Sequence, residues 1–135
     1  MSVTGFDHAA IPVADVEAML SFYAALGFRV NRDLAPRLFS VHFGENKINF
    51  HDPSLWQSGR FSLRGPTAVP GCGDFCFVWG ASAAALAATL DAAGAEIIEG
   101  PVPRDGGRHS GRATGTSSYV RDPDGNLLEF MIYPS

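Results

Sequence analysis

Asp124-Gly125-Asn126-Leu127-Leu128-Glu129-Phe130, close to the end of the chain, has a counterpart in the first half, Gly44-Glu45-Asn46-Lys47-Ile48-Asn49-Phe50. Each opens on a turn cluster and runs into a strand in which apolar side chains alternate with others. Upstream, Ala24-Ala25-Leu26-Gly27-Phe28-Arg29-Val30 and Ala92-Ala93-Gly94-Ala95-Glu96-Ile97 share a second grammar of helix end, glycine and strand. Farther out, Phe6 to Val13 reads as a strand. Asp15 caps a helix that runs to Leu26, with apolar residues at Val16, Met19, Leu20, Phe22 and Tyr23. Leu38 to Phe43 and Lys47 to His51 form a hairpin about the Gly44 turn. In the second half, Asp74 to Trp79 is a strand and Ser82 caps an alanine-rich helix to Ala93. Ala95 to Glu99 is a strand, Pro101 to Thr116 a Gly/Arg-rich loop, and Ser117 to Arg121 and Leu127 to Tyr133 are strands. The order strand, helix, three strands is written twice, which predicts an α+β fold of two βαβββ modules in one domain. Module one spans about 5–52, a connector 53–72, and module two 73–134.

A chain of 135 residues, 46% hydrophobic and 18% charged, has the length of one ordinary domain and enough apolar material for a core. Ten Lys and Arg against fourteen Asp and Glu give a formal charge of -4, with no cationic footprint for nucleic acid or an anionic membrane. The longest apolar run, Ala83 to Ala88, falls far short of a membrane span, and no basic segment followed by an apolar one opens the chain. Cys72 and Cys76 make neither a disulfide framework nor a zinc pattern. These features together point to a cytoplasmic protein with reduced thiols.

Strand side chains alternate between faces, so parity sorts them. Ile11, Val13, Phe39, Val41, Ile48, Phe50, Phe75, Phe77, Leu128 and Phe130 fall on apolar faces that pack on the helices. The other faces carry His8, His42, Asn49, His51, Asp74 and Glu129. A solvated sheet face is commonly rich in Lys, Arg, Thr and Ser; this one holds three of the four histidines and only one lysine. That composition makes it the candidate site.

Several stretches resemble the vicinal oxygen chelate superfamily, which includes glyoxalase I, extradiol dioxygenases, fosfomycin-resistance enzymes and bleomycin-binding proteins. They are Phe6-Asp7-His8-Ala9-Ala10-Ile11-Pro12-Val13, Phe22-Tyr23 before Leu26-Gly27-Phe28, Lys47-Ile48-Asn49-Phe50-His51, and Tyr119-Val120-Arg121-Asp122-Pro123-Asp124-Gly125-Asn126-Leu127-Leu128-Glu129. The chain looks most like the small glyoxalase-domain proteins, on Asn49-Phe50-His51 and Glu99-Gly100-Pro101-Val102. The resemblance implies that paired modules curl into a cup holding a divalent metal (Mn, Fe, Ni, Co or Zn), with ligands on the first and last strands of each module. By position the ligands are His8 and Glu129, with Asp74 where the family usually has His. Asn49 stands at the fourth place, which a register shift or bulge would hand to His51. The resemblance also implies a homodimer, in which the site is completed either within one chain or across two.

The function implied is a metal-dependent enzyme acting on a small substrate chelated through adjacent oxygens, with lyase or isomerase chemistry ahead of extradiol cleavage. Glu129 is the expected catalytic proton carrier, with His42 as a second candidate. Asn49, Arg104, Arg108, Arg112 and Tyr119 are expected to bind substrate, the arginines through an anionic group. The alternative is a metal-free, bleomycin-resistance-like protein that sequesters a small aromatic ligand against Trp56, Phe61 and Trp79.

Overall fold

Asp15 accepts a hydrogen bond at 3.1 Å from the backbone N–H of Ala18, opening the first helix where the sequence places its cap. Gly27, at a φ of +97°, lets the chain leave that helix through the left-handed region. Such local signals recur through the computed structural model, which describes residues 2–135. The chain divides into two units, one through Cys72 and the other from Gly73. The first contains β1 (His8–Pro12), α1 (Val16–Ala25), β2 (Arg29–Asn31), β3 (Leu38–Phe43), β4 (Asn46–His51) and the one-turn α2 (Pro53–Trp56). The second contains β5 (Asp74–Val78), α3 (Ala83–Ala92), β6 (Glu99–Asp105), the short α4 (Arg108–Gly111), β7 (Thr114–Arg121) and β8 (Leu127–Ile132).

Each unit builds one four-stranded sheet, ordered β1-β4-β3-β2 and β5-β8-β7-β6. In both, the first strand runs parallel to the last and the remaining pairs are antiparallel. The α+β class and the doubled strand order are therefore as the sequence predicts. In the first unit α1 lies against β2 and β3, burying Val16, Met19, Leu20 and Tyr23. The sheet presents Ile11, Val41, Ile48 and Phe50 to the core, all buried, and Tyr23 meets Phe50 edge-on at 5.4 Å. In the second unit Leu86 and Leu90 of α3 are buried, as are Phe77, Val120, Leu128 and Phe130. Each such side chain contributes roughly 1.5–3 kcal/mol through burial, which is what holds the other face of each sheet in place.

The repeated asparagines do equivalent work. Asn126, fully buried, accepts from the Gly73 N–H at 2.7 Å and donates to Asp122 at 2.8 Å, tying the chain just before β5 to the start of β8. A Cβ on Gly73 would sit 2.9 Å from the Asn126 amide oxygen, so the clamp closes only on glycine. Asn46 likewise donates to the carbonyls of Phe6 and Asp7, ahead of β1.

Two expectations about elements are corrected. Residues 95–98 are not strand; β6 begins at Glu99 and runs to Asp105, through the segment read as a loop, with a register irregularity between Glu99 and Val102. Strand β7 correspondingly begins at Thr114 rather than Ser117. Pro101 and Pro103 disguised this strand, because proline donates nothing to a ladder. As the outer strand of its sheet, β6 has one side with no neighbour to bond, so it tolerates them.

Candidate functional site

The strand registers place the polar face in cross-strand rows. In the first unit one row is His8, Lys47, His42 and Arg29; the next is Ala10, Asn49, Ser40 and Asn31; a third is Pro12, His51 and Leu38. In the second unit Asp74 pairs with Leu127, and the adjacent row is Cys76, Glu129, Tyr119 and Glu99. Because His8 pairs with Lys47 as Asp74 pairs with Leu127, Asn49 and Glu129 occupy equivalent places in the repeat.

His51 is two positions farther along. The pairings of β4 with β1 and β3 run without a bulge, so nothing in the register brings it into the place of Asn49. It stands beside Pro12, four residues beyond His8, or about 13 Å along the strand at ~3.3 Å per residue. Its ring is buried and packs edge-on against Phe61 at 5.1 Å. Burial, with a smaller contribution from the Arg64 guanidinium, holds its pKa below the usual histidine value.

His8 differs. Its side chain is 44% exposed, and Nδ1 lies 2.6 Å from an Asp7 carboxylate oxygen. A carboxylate on one ring nitrogen orients the imidazole and leaves Nε2 as the lone-pair nitrogen, the arrangement that commonly supports a metal ligand. His42 is half-buried and shares a 2.8 Å hydrogen bond between Nε2 and the buried Ser40 hydroxyl. The Asn49 amide oxygen is buried without a hydrogen-bond partner.

In the second unit Glu129 is half-buried, and one carboxylate oxygen accepts from the buried Ser117 hydroxyl at 2.6 Å. Cys76, its direct cross-strand neighbour, has its thiol pushed up to about 12, by burial first and then by the Glu129 carboxylate, to which it also hydrogen-bonds. Arg104 donates from Nε to the Tyr119 hydroxyl at 3.0 Å and from Nη2 to Glu99 at 2.9 Å, and its pKa is raised chiefly by the Tyr119 contact. A third donor goes to the Pro103 carbonyl, so the guanidinium expected to meet a substrate anion is engaged within its own sheet. Arg108 stacks over Tyr133 at 4.2 Å and Arg112 is exposed at the end of α4; neither lies on the sheet face. Asp74 is exposed, at the first position of β5.

Of the aromatic residues expected to line a ligand site, Trp56 donates to the Val13 carbonyl at 3.0 Å and lies under Arg64, while Phe61 covers His51. Trp79, in the second unit, donates to the Ser82 carbonyl. Sequence reasoning missed the supports rather than the principals: Ser117 beneath Glu129, Asp7 beside His8, and the closed Arg104–Tyr119–Glu99 set. Ser117 was within reach of parity, since it falls diagonally across the ladder from Glu129; a hydrogen bond between side chains leaves no mark in composition.

As donors for a divalent metal, His8 and Glu129 fit: a neutral imidazole with an oriented free nitrogen and a carboxylate with an oxygen beyond the Ser117 bond. His51 fits poorly, for the reasons of register and burial above. Among the described residues, no three His, Cys, Asp or Glu side chains gather closely enough to hold an ion.

The model of the glyoxalase/bleomycin resistance protein/dioxygenase superfamily matches residues 5–130. The chain is 37% identical over 136 residues to glyoxalase domain-containing protein RDO1 of Mycosarcoma maydis, spanning 98% of this chain and 70% of that one. It is 33% identical over 141 residues to virulence protein STM3117 of Salmonella typhimurium, spanning 98% and 87%. The crystal structure of STM3117 matches with a TM-score of 0.83 over 99% of this chain and 100% of the other, at 32% identity. Integron cassette protein VCH_CASS1, from the mobile metagenome of V. cholerae, matches with a TM-score of 0.85 over 99% and 98%, also at 32% identity.

Proposed function

The chain belongs to the glyoxalase/bleomycin resistance protein/dioxygenase superfamily, and from that premise we propose that it is a lyase or isomerase of small oxygenated substrates in which Glu129 moves the proton. The observation that carries this reading is the setting of Glu129, half-buried in a row of hydrogen-bonding groups and fixed through one oxygen by Ser117. A carboxylate so held has its second oxygen left for substrate, which is the geometry a general base needs. Tyr119, its neighbour on β7, receives the Arg104 N–H at its oxygen and keeps its own hydrogen to donate. The Cys76 thiol stays protonated at neutral pH, so it acts as a weak donor beside Glu129 and not as a nucleophile.

His8, with Asp74 as a further carboxylate, would hold a divalent metal, and Glu129 would share its one free oxygen between the ion and the substrate proton. A bound metal would polarise two adjacent substrate oxygens and stabilise the charge that follows proton removal. A second reading, metal-free ligand binding, is favoured by one observation: a neutral amide, Asn49, stands where the repeat places Glu129.

The test joins metal content with turnover. Untagged protein purified without chelators is analysed by elemental mass spectrometry, then assayed on hemithioacetals formed from 2-oxoaldehydes and thiols, beside His8→Ala and Glu129→Gln. The enzyme reading expects a near-stoichiometric first-row metal, depleted in both variants, and turnover that falls about 10²–10⁴-fold in Glu129→Gln. Wild-type protein that holds no metal, takes up none of Mn, Fe, Ni, Co or Zn, and turns over nothing would leave ligand binding as the function.

A further inference from the structure

Lys47 is the only lysine in the chain; the other nine basic residues that carry fixed charge are arginines. It sits on β4 on the polar face of the first unit, directly between His8 on β1 and His42 on β3, with Arg29 next across the sheet. It is half-buried, and no hydrogen bond or ion pair to its ammonium forms among the described residues. Arg29 is partly satisfied by the Gly44 carbonyl, and His42 by the Ser40 hydroxyl. Basic groups lined up on neighbouring strands oppose one another, and while Asp7 partners His8, no carboxylate of the unit pairs with the lysine. Two residues along the same strand and face lies the Asn49 amide oxygen, buried and without a donor. An unpaired cation beside an orphaned acceptor is a complementary half of something: an anion for the first, a hydroxyl or N–H for the second.

We propose that Lys47 and Asn49 form a recognition site for an organic acid that carries a hydroxyl group, the carboxylate paired with Lys47 and the hydroxyl donated to the Asn49 amide oxygen. The inference rests on the reading of the polar face as the ligand face and narrows the ligand to a hydroxy acid. A compact ammonium on a flexible stem suits this place better than a guanidinium would, since the two ligand groups need to be followed at variable spacing. His8, in the same row, need take no part in it.

A single lysine makes the test direct. Reductive methylation with ¹³C-formaldehyde keeps the ammonium charged and labels only Lys47 and the N-terminal amine, whose signals are separated by Lys47→Met. The labelled protein is titrated with 3-hydroxybutyrate, with butyrate, which lacks the hydroxyl, and with butane-1,3-diol, which lacks the charge, each at constant ionic strength set with chloride. The expected result is a saturable shift of the Lys47 signal alone, with 3-hydroxybutyrate binding about threefold to tenfold more tightly than butyrate and the diol moving nothing. In Asn49→Leu the two acids should become equal while the shift persists. A Lys47 signal that neither acid moves, or that tracks chloride instead, overturns the anion site, and equal affinity of the two acids for the wild type overturns the role of Asn49. Repeating the titration on chelator-treated Glu129→Gln protein separates the two readings. A shift there with no turnover by wild type would sink the enzyme and leave the hydroxy-acid site standing. Turnover with no shift would do the reverse.

Discussion

Cys76 illustrates how a neighbour decides what a residue can do. Its side chain reaches the surface, as does that of Cys72, and exposure alone would make both targets for an electrophile. Partial burial disfavours the thiolate first, and the Glu129 carboxylate directly across the ladder disfavours a second negative charge there, so the thiol is pushed up to about 12. Against an ordinary thiol near 8.5, the thiolate fraction at pH 8 falls roughly a thousandfold. Iodoacetamide at pH 8 should therefore label Cys72 well before Cys76, as read by peptide mapping. Glu129→Gln removes the charge but not the burial, so it should raise the Cys76 rate without restoring it to that of a free thiol. Equal labelling of the two cysteines in the wild type would show that the thiol is not held protonated, and an unchanged Cys76 rate in Glu129→Gln would show that the carboxylate takes no part. The same contrast separates His8 from His51: one imidazole held by a carboxylate with a nitrogen to spare, the other enclosed against Phe61.

At the scale of elements, the doubled asparagine predicts an unequal pair of losses. Asn126→Ala removes the acceptor of the part-buried Gly73 N–H and one donor to the buried Asp122 carboxylate, giving a loss of about 1–3 kcal/mol in urea unfolding. Asn46→Ala breaks bonds at an exposed position, where water replaces the amide, and should cost about 0.5–1.5 kcal/mol. Similar losses at the two sites would mean that burial of the second clamp matters less than its bonds. These turns were legible from the chain because their grammar is local: Asp15, Ser82, Gly27 and the Asn46/Asn126 pair each act within a few residues or at a repeated place. The rows of the polar face were legible through parity, which is how His8, Asn49 and Glu129 could be singled out. What was not legible depended on partners in space. The β6 strand reads as loop because Pro101 and Pro103 are penalised by any local rule, and only its edge position excuses them. Arg104 reads as a substrate arginine because a Gly/Arg-rich segment suggests one, whereas in the fold its donors go to Tyr119, Glu99 and Pro103.

At the scale of the whole molecule, duplication has been followed by division of chemical labour. Residues 1–72 carry six acidic and six basic side chains with three of the four histidines, and residues 73–135 carry eight acidic and four basic ones, so the formal charge of -4 belongs to the second unit. The imidazoles and the lysine thus gather on one copy of the repeat, and carboxylates predominate on the other. Each copy also begins on an end strand: β1 and β5 each pair with a single neighbour in their sheets, with Phe6 71% exposed just before the first and Val78 55% exposed in the second. Edge strands with exposed apolar neighbours invite pairing and are usually covered. A second copy of the chain is a cover that such edges fit, so sedimentation equilibrium should return twice the 14.4 kDa chain mass at micromolar concentration. Phe6→Ser combined with Val78→Ser removes apolar area from the edges while leaving every buried core side chain in place, and should shift the protein toward monomer with its circular dichroism unchanged. A wild type that sediments as a monomer, or a double variant that sediments like the wild-type dimer, would show that these edges do not carry the contact between copies.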